Sequence, residues 1–160
     1  MEMKDKMAKL QQLKWLQNAP EAELLELARI ATFQESSAST NLIAEDSESS
    51  EVFAVINGRI DVMIVVPGSP KPEIIATLGS GELFGELILL GRGRRSASAR
   101  ARDDVKLLVW KKNDLLNLFE KQRSIGYRLM HEIARVLAER LYSTNLALRN
   151  ALSRTSISNL

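Results

Sequence analysis

Six short segments rich in β-branched and apolar residues lie between residues 33 and 110, and they limit what this chain can fold into. They cover residues 41–43, 52–56, 59–65, 73–78, 96–101 and 105–110. Runs of this kind, separated by turn-forming residues, are typical of β-strands. So many short strands at close spacing predict an antiparallel β-roll or jelly roll.

Two turn motifs connect consecutive predicted strands. Asn57-Gly58 predicts a tight hairpin between residues 52–56 and 59–65, because both residues tolerate the positive φ angles of a type I′ turn. Pro67-Gly68-Ser69-Pro70 predicts a second turn further along the chain.

Helical periodicity flanks the strand-rich region on both sides. Residues 10–32 contain leucines at spacings of three and four, interrupted by Pro20, and predict two short helices. A short helix follows residue 113, and a long one is predicted over 123–152, where neither Gly nor Pro occurs after Gly126. The predicted fold class is therefore α+β, mainly β: an antiparallel β-roll flanked by N-terminal helices and a long C-terminal helix.

The pattern predicts four regions. These are a flexible N-terminus over 1–9, a β-roll with flanking helices over 10–122, the long helix over 123–152 and a tail over 153–160. A helix of about 27 residues extends roughly 40 Å, which is more than one small domain needs to cover itself. Its long apolar stripe favours a homodimer through this helix, and the alternative is a helix that packs only on its own roll.

Composition excludes several classes of function. The chain has no Cys and a single His, so disulfides and iron–sulfur clusters are excluded, and a zinc site or a metal-dependent jelly-roll enzyme is disfavoured. A net charge of +2 is too small to indicate a nucleic-acid surface. No apolar run reaches the roughly 18 residues of a membrane span, and the N-terminus lacks the order of a secretory signal. We expect a cytoplasmic protein that is not an enzyme and needs no cofactor.

The charged residues are unevenly distributed. Between residues 34 and 51 every ionisable side chain is acidic: Glu35, Glu45, Asp46, Glu48 and Glu51. Between residues 91 and 102 every one is basic: Arg92, Arg94, Arg95, Arg100 and Arg102. These stretches are either two solvated loop faces or, in the basic stretch, an anion site.

Residues 84–98 contain the strongest candidate site. The segment from Gly85 to Leu90 can form one or two helical turns, whose first backbone N–H groups have no internal partner and can bind an anion. Arg95 follows a glycine-rich turn and can bind two oxygens of the same anion. Glu86 would repel a bare phosphate but accepts hydrogen bonds from hydroxyls. Together these residues indicate a sugar phosphate.

The motif Phe84-Gly85-Glu86-Leu87, followed by Arg95-Ser96-Ala97-Ser98, resembles the phosphate-binding cassette of cyclic nucleotide-binding domains. That family includes the bacterial catabolite activator protein, the regulatory subunits of protein kinase A and cyclic nucleotide-gated channels. Residues 52–62 are similar to the family's hydrophobic hairpin, and residues 78–81 to the glycine turn before its cassette. The resemblance covers about residues 10–150, without a DNA-binding domain.

The resemblance implies a role for each matching position. Glu86 would accept from the ribose 2′-hydroxyl, and Arg95 would bind the cyclic phosphate. Backbone N–H groups of Leu87 and Ile88, together with Ser96, would complete the phosphate cradle, beside Phe84 and Gly85. The long helix would cover the base, with Arg140 hydrogen-bonding it or stacking on it.

Counting along the helix places two further residues, Val136 and Leu141, with Arg140 on the part of the helix that would cover the base, which we call the lid.

The sequence therefore predicts a regulatory module that binds cAMP or cGMP and signals to an effector protein through its C-terminal helix. Direct DNA binding is not expected. The alternative is a ligand-free domain of the same fold that serves dimerisation or protein interaction. The chain departs from the family pattern at Arg94, which replaces a proline, at Ile88, which replaces a small residue, and at Asp46 and Ser49, which replace turn glycines. Ile88 and the lost glycines favour the ligand-free alternative, whereas the intact Glu86 and Arg95 oppose it.

Overall fold

The computed structural model describes residues 1–91 and 93–158, with side chains described through residue 154. Within this part of the chain, eight strands form two antiparallel sheets of four strands each. The strands are β1 (Thr32–Ser36), β2 (Asn41–Ile43), β3 (Glu51–Asn57), β4 (Ile60–Ile64), β5 (Glu73–Leu78), β6 (Leu83–Phe84), β7 (Ser98–Ala101) and β8 (Val105–Lys111). One sheet has the order β1-β8-β3-β6 and the other β2-β7-β4-β5.

Helices flank this roll at both ends of the chain. They are α1 (Met3–Leu10), α2 (Glu21–Ile30), α3 (Lys112–Lys121) and α4 (Arg123–Ser158), with short 3₁₀ turns at Lys14–Leu16 and Glu86–Leu90. The predicted fold class, an antiparallel β-roll with flanking helices, is confirmed. Among the described helices, none is long and apolar enough to cross a membrane.

Strands β3 and β8 each contain a continuous apolar run that is buried on both faces, over residues 52–56 and 107–110. In β3, Val52 and Ala54 face a core shared with the helices, whereas Phe53 and Val55 face the interior of the roll. β8 divides in the same way, with Leu108 and Trp110 on the helical side and Val105, Leu107 and Val109 on the roll side. Successive side chains of a strand point to opposite faces, so one sheet separates two apolar cores.

The predicted hairpin at Asn57-Gly58 is wrong. β3 pairs with β6 and β8, whereas β4 pairs with β5 and β7, so the chain passes from one sheet to the other at Gly58. Gly58 has a φ of +87°, but Asn57 is not in the left-handed region, so the turn is not type I′. Burial of both strands in different sheets overrides the local turn preference. The second predicted turn does join a pair of strands, β4 and β5.

The N-terminal prediction is also corrected. Residues Met3–Leu10 form α1, where the sequence predicted a flexible terminus over 1–9. A helix of this length is marginal by itself. The Lys6 ammonium group holds it in place by donating to the carbonyl oxygens of Ala28 and Ala31, at the end of α2.

Helix α4 has two halves with different surroundings. Ile125, Leu129 and Ile133 are buried in the core shared with the other helices. From residue 141 through residue 154 every side chain is exposed. The helix reaches Ser158, beyond the predicted end at residue 152, because no Gly or Pro interrupts it. The last two residues of the predicted tail, 159–160, lie outside the described residues.

We expect Gly58→Ala to destabilise the fold more than Gly68→Ala. Both glycines have left-handed backbones, with φ of +87° and +85°, and this alone costs alanine about 1–2 kcal/mol. A Cβ at Gly58 would also lie 2.6 Å from the Asp104 carbonyl oxygen and 2.7 Å from Val105 Cγ1, whereas Gly68 has open space around it. Denaturant unfolding should therefore give an additional loss of roughly 1–3 kcal/mol for Gly58→Ala. Equal losses would contradict the close packing of this crossover.

Candidate functional site

One cleft opens where the 3₁₀ turn Glu86–Leu90, the loop leading into β7, and α4 meet. Its free space is about 470 Å³, counting the part open to solvent. The lining includes all eight residues that the sequence predicted: Phe84, Gly85, Glu86, Leu87, Ile88, Arg95, Ser96 and Arg140. Seven of the eight come from two loops close together in sequence, and Arg140 comes from α4.

The Arg95 side chain lies at the floor of the cleft and is held by three protein acceptors. Its Nε donates to the hydroxyl oxygen of Ser49 at 2.7 Å. One terminal nitrogen, Nη1, donates to the carbonyl oxygen of Gly85 at 2.8 Å, and the other, Nη2, donates to that of Glu51 at 2.6 Å. A guanidinium group has five N–H donors, so among the described contacts one N–H on each terminal nitrogen has no protein acceptor.

The guanidinium of Arg95 is a buried charge that neighbouring carboxylates compensate. Its side chain is only 4% exposed. Burial lowers the pKa of Arg95 from its ordinary value, and the charges of Glu51 and then Glu86 oppose that shift. Removal from water disfavours the charged form, whereas nearby negative charges favour it. The site therefore concentrates positive charge where few water molecules compete for it.

The acidic and basic stretches of the sequence face each other. The Arg94 guanidinium lies 3.0 Å from a carboxylate oxygen of Asp46 and 3.5 Å from one of Glu48. The backbones also pair, since the Asp46 N–H donates to the Arg95 carbonyl and the Arg95 N–H to that of Ser47. The two stretches are thus a pair of bonded loops beside an anion-compatible cleft. Arg92, also part of the basic stretch, lies outside the described residues.

Gly85 allows the backbone just before the 3₁₀ turn to approach the Arg95 side chain closely. It has a φ of +72° and directly precedes the 3₁₀ turn. A Cβ at this position would lie 2.9 Å from Arg95 Nη1, 3.0 Å from the Glu51 carbonyl oxygen and 3.1 Å from Ile43 Cδ1. Both the backbone conformation and the space require glycine here.

The carboxylate of Glu86 is buried and paired with the long helix. The residue is 1% exposed. Arg140 Nη1 donates to Glu86 Oε1 at 2.6 Å, and Arg140 Nη2 donates to the Leu83 carbonyl oxygen at 3.2 Å. Arg140 thus contacts the residue expected to bind a ribose, and this contact joins α4 to the cassette.

The side chain of Ile88 packs away from the roll interior. It is 6% exposed and belongs to the apolar core shared with the helices, beside Leu89 and Leu83. A branched residue here therefore contributes to the core, and Ile88 also lines the cleft. Leu87 is half-buried and Ser96 is exposed at the opening.

Two of the expected lid residues do not reach the cleft. Val136 and Leu141 are absent from its described lining, and Leu141 is 62% exposed. Among the described lining residues, Arg140 is the one that belongs to α4.

Sequence reasoning missed the residues that hold Arg95. Ser49 and Glu51 lie more than 40 positions before Arg95, and their side chains carry no motif of their own. The one available signal was the opposition of the acidic and basic stretches, which indicated complementary loops. At Asp46, the predicted glycine replacement retains a left-handed backbone, with a φ of +62°. The turn is therefore kept although the glycine is not.

Comparison with known proteins identifies the family. The sequence model of the family described as cyclic nucleotide-binding domain matches residues 33–122. The chain is 36% identical over 97 residues to the cyclic AMP receptor protein of Thermus thermophilus, an alignment covering 61% of this chain and 43% of that protein. It is 32% identical over 101 residues to human cGMP-dependent protein kinase 2, covering 62% of this chain and 13% of the kinase. The chain thus spans less than half the length of these curated relatives.

The fold agrees with a solved structure. The crystal structure of the Thermus thermophilus catabolite activator protein superposes with a TM-score of 0.69 at 28% identity, covering 84% of this chain and 61% of that one. Residues 33–122, which match the family model, contain nearly all of the roll, the 3₁₀ turn and the Arg95 loop, and α4 adds Arg140 to the cleft from outside that segment. The chain belongs to the cyclic nucleotide-binding domain family.

Proposed function

We propose that this chain is a regulatory module that binds a cyclic nucleotide, cAMP or cGMP, in the cleft described above. The observation that supports it best is the placement of a buried cation and a buried carboxylate, Arg95 and Glu86, on one cleft. A cyclic nucleotide presents an anionic phosphodiester next to a ribose hydroxyl, and these two groups need a cation and an acceptor side by side. The choice of cAMP or cGMP is supported by the names of two relatives, cyclic AMP receptor protein and cGMP-dependent protein kinase 2.

The phosphate would bind to Arg95. Its two terminal nitrogens each keep one N–H without an acceptor among the described contacts, and a phosphodiester offers two exocyclic oxygens. The backbone N–H groups of Leu87 and Ile88 and the hydroxyl of Ser96 lie on the same lining and would supply further donors. The ribose 2′-hydroxyl would donate to Glu86, beside Phe84 and Gly85.

Helix α4 would transmit the signal. Its Arg140 pairs with Glu86, the expected ribose partner, so a nucleotide that binds Glu86 acts on the contact between cassette and helix. A ligand shifts such an equilibrium only by its difference in affinity between the two helix positions. The output would pass to an effector protein in the cytoplasm, without catalysis and without direct DNA binding by this chain.

The alternative, a ligand-free domain that serves dimerisation or protein interaction, has one observation in its favour. Arg95 and Glu86 both have protein partners already, so the fold satisfies their charges without a nucleotide. Against it, the side chain of Ile88 belongs to the core shared with the helices, and the residue lines a cleft that retains Arg95 and Glu86.

Binding to cAMP and cGMP should depend on Arg95 far more than on its neighbour Arg94. We choose Arg95→Lys, because alanine would leave the carbonyls of Gly85 and Glu51 unsatisfied. Lysine keeps the charge but loses the planar fork, so affinity should fall about 10- to 100-fold. Isothermal titration calorimetry with both nucleotides measures this, with thermal melting to verify folding.

The matched control is Arg94→Lys, a 59% exposed side chain that pairs with loop carboxylates. It should leave affinity within about threefold of the parent protein. Equal affinities for Arg95→Lys and the parent would disprove the phosphate assignment. Failure of the parent protein to bind either nucleotide would favour the ligand-free alternative.

Removing Arg140 should uncouple α4 from the cassette. Arg140→Ala leaves the Glu86 carboxylate buried without its cation, and opening of the helix would rehydrate it. Because the chain has no native Cys, fluorophores at Thr144→Cys and Lys71→Cys report the distance between helix and roll. We expect cAMP to change this distance in the parent protein and not in Arg140→Ala. Arg149→Ala, further along the exposed half of α4, should retain the response, and a retained response in Arg140→Ala would refute the coupling.

We expect the chain to form a homodimer through the exposed half of α4. Leu141 and Leu148 lie two helical turns apart on α4 and are 62% and 56% exposed. Burial of such apolar surface against a second copy stabilises association. Sedimentation at micromolar concentration should show a dimer that Leu141→Asp with Leu148→Asp converts to monomer. Ile75→Asp, at a 56% exposed position on β5, should leave it intact, and a monomeric parent protein would refute the dimer.

A further inference from the structure

Among the three hydrogen bonds of the Arg95 guanidinium, the bond to Ser49 is the one accepted by a side chain. The family pattern predicts a glycine at this position. The other two hydrogen bonds of the guanidinium use the backbone carbonyls of Gly85 and Glu51 and do not involve a side chain of those residues. The Ser49 hydroxyl oxygen accepts from Arg95 Nε at 2.7 Å, and Ser49 itself is half-buried. The expected glycine would have no atom to make this bond.

The position of this bond on the guanidinium determines what it controls. Nε is the nitrogen at which the planar group joins the aliphatic part of the side chain. A partner at Nε therefore restrains rotation about the last rotatable bond, in addition to the carbonyl oxygens of Gly85 and Glu51 at Nη1 and Nη2, which lie in the same plane. Their remaining N–H groups, which lack an acceptor among the described contacts, then point in fixed directions.

The rest of the surroundings does not replace this bond. The Glu51 carboxylate lies 3.8 Å from Arg95 Nη2, which is beyond a hydrogen bond, and it is 39% exposed. The neighbouring Ser50 is exposed, and its hydroxyl has no described contact with Arg95. The Arg95 side chain is 4% exposed, so water has little access to an abandoned Nε–H.

We propose that Ser49 is a positioning residue for the phosphate site: its hydroxyl fixes the plane of the Arg95 guanidinium and so aims the free terminal N–H groups at the phosphate oxygens. This inference rests on the proposed function. It adds that a serine in the loop between β2 and β3 sets the affinity and the stereochemical preference of the site in this chain.

The test compares Ser49→Ala, Ser49→Thr and Ser50→Ala. Ser49→Ala removes the acceptor, Ser49→Thr keeps it, and Ser50→Ala changes a hydroxyl one residue away. The affinity for cAMP should fall about tenfold in Ser49→Ala and stay within about threefold in the other two. Ser49→Thr thereby controls for effects of changing the loop, and thermal melting reports any loss of folding.

A second measurement separates positioning from general damage to the loop. The two phosphorothioate diastereomers of cAMP differ only in which exocyclic oxygen is replaced by sulfur. A fixed guanidinium plane distinguishes them, so the ratio of their affinities should move towards one in Ser49→Ala and stay at the parent value in Ser49→Thr. An unchanged ratio together with unchanged cAMP affinity in Ser49→Ala would overturn the proposal.

A third measurement needs no nucleotide. The ¹H–¹⁵N signal of Arg95 Nε–H, assigned by its loss in Arg95→Lys, should shift and exchange faster with solvent in Ser49→Ala only. If the parent protein binds no cyclic nucleotide, the proposed function fails, and this signal still decides whether Ser49 holds Arg95. The same shift and exchange rate in the parent protein and Ser49→Ala would refute the role of Ser49.

Discussion

The buried guanidinium of Arg95 joins its own loop to the nearby 3₁₀ turn and to a segment more than 40 positions earlier in the chain. It donates to Ser49 in the loop before β3, to Glu51 at the start of β3 and to Gly85 just before the 3₁₀ turn, and the Arg95 backbone pairs with Ser47. A buried cation is stable only when nearby acceptors compensate for its lost water. These acceptors therefore hold the loop between β2 and β3, the cassette and the Arg95 loop in one arrangement, and the cleft depends on it.

The sheet that contains β3 and β8 connects this site to the helices. Its two faces contribute to two cores, so the residues behind the cleft also support α3 and α4. Ile88 and Leu89 extend this connection, because they belong to the 3₁₀ turn and their side chains are buried in the core shared with the helices. Arg140 provides a second connection through Glu86, from the opposite side of the turn. The 3₁₀ turn Glu86–Leu90 is thus connected to α4 both through apolar packing and through an ion pair.

The fold followed from the sequence where one physical rule dominated. Close spacing of short β-branched runs predicted the roll, and the uninterrupted stripe after Gly126 predicted the long helix. The cleft residues were predictable too, because Phe84-Gly85-Glu86-Leu87 and Arg95-Ser96 are local motifs. The turn at Asn57-Gly58 was not, because its preference for a hairpin competes with the burial of β3 and β4 in different sheets. Likewise α1 depends on Lys6 meeting the end of α2, a contact that no local pattern encodes.

The sequence alone determined which groups this site contains: a guanidinium, a carboxylate and a glycine that permits close approach. Only the tertiary structure decided what each of them contacts. It paired Glu86 with Arg140 from a helix 54 positions away, and it used Ser49 to hold Arg95 across 46 positions. It also turned the side chain of Ile88 into the core. The physical reason is that buried polar groups form hydrogen bonds with whichever partners the fold brings near them. Those partners lie far away in the sequence, where no local pattern indicates the contact.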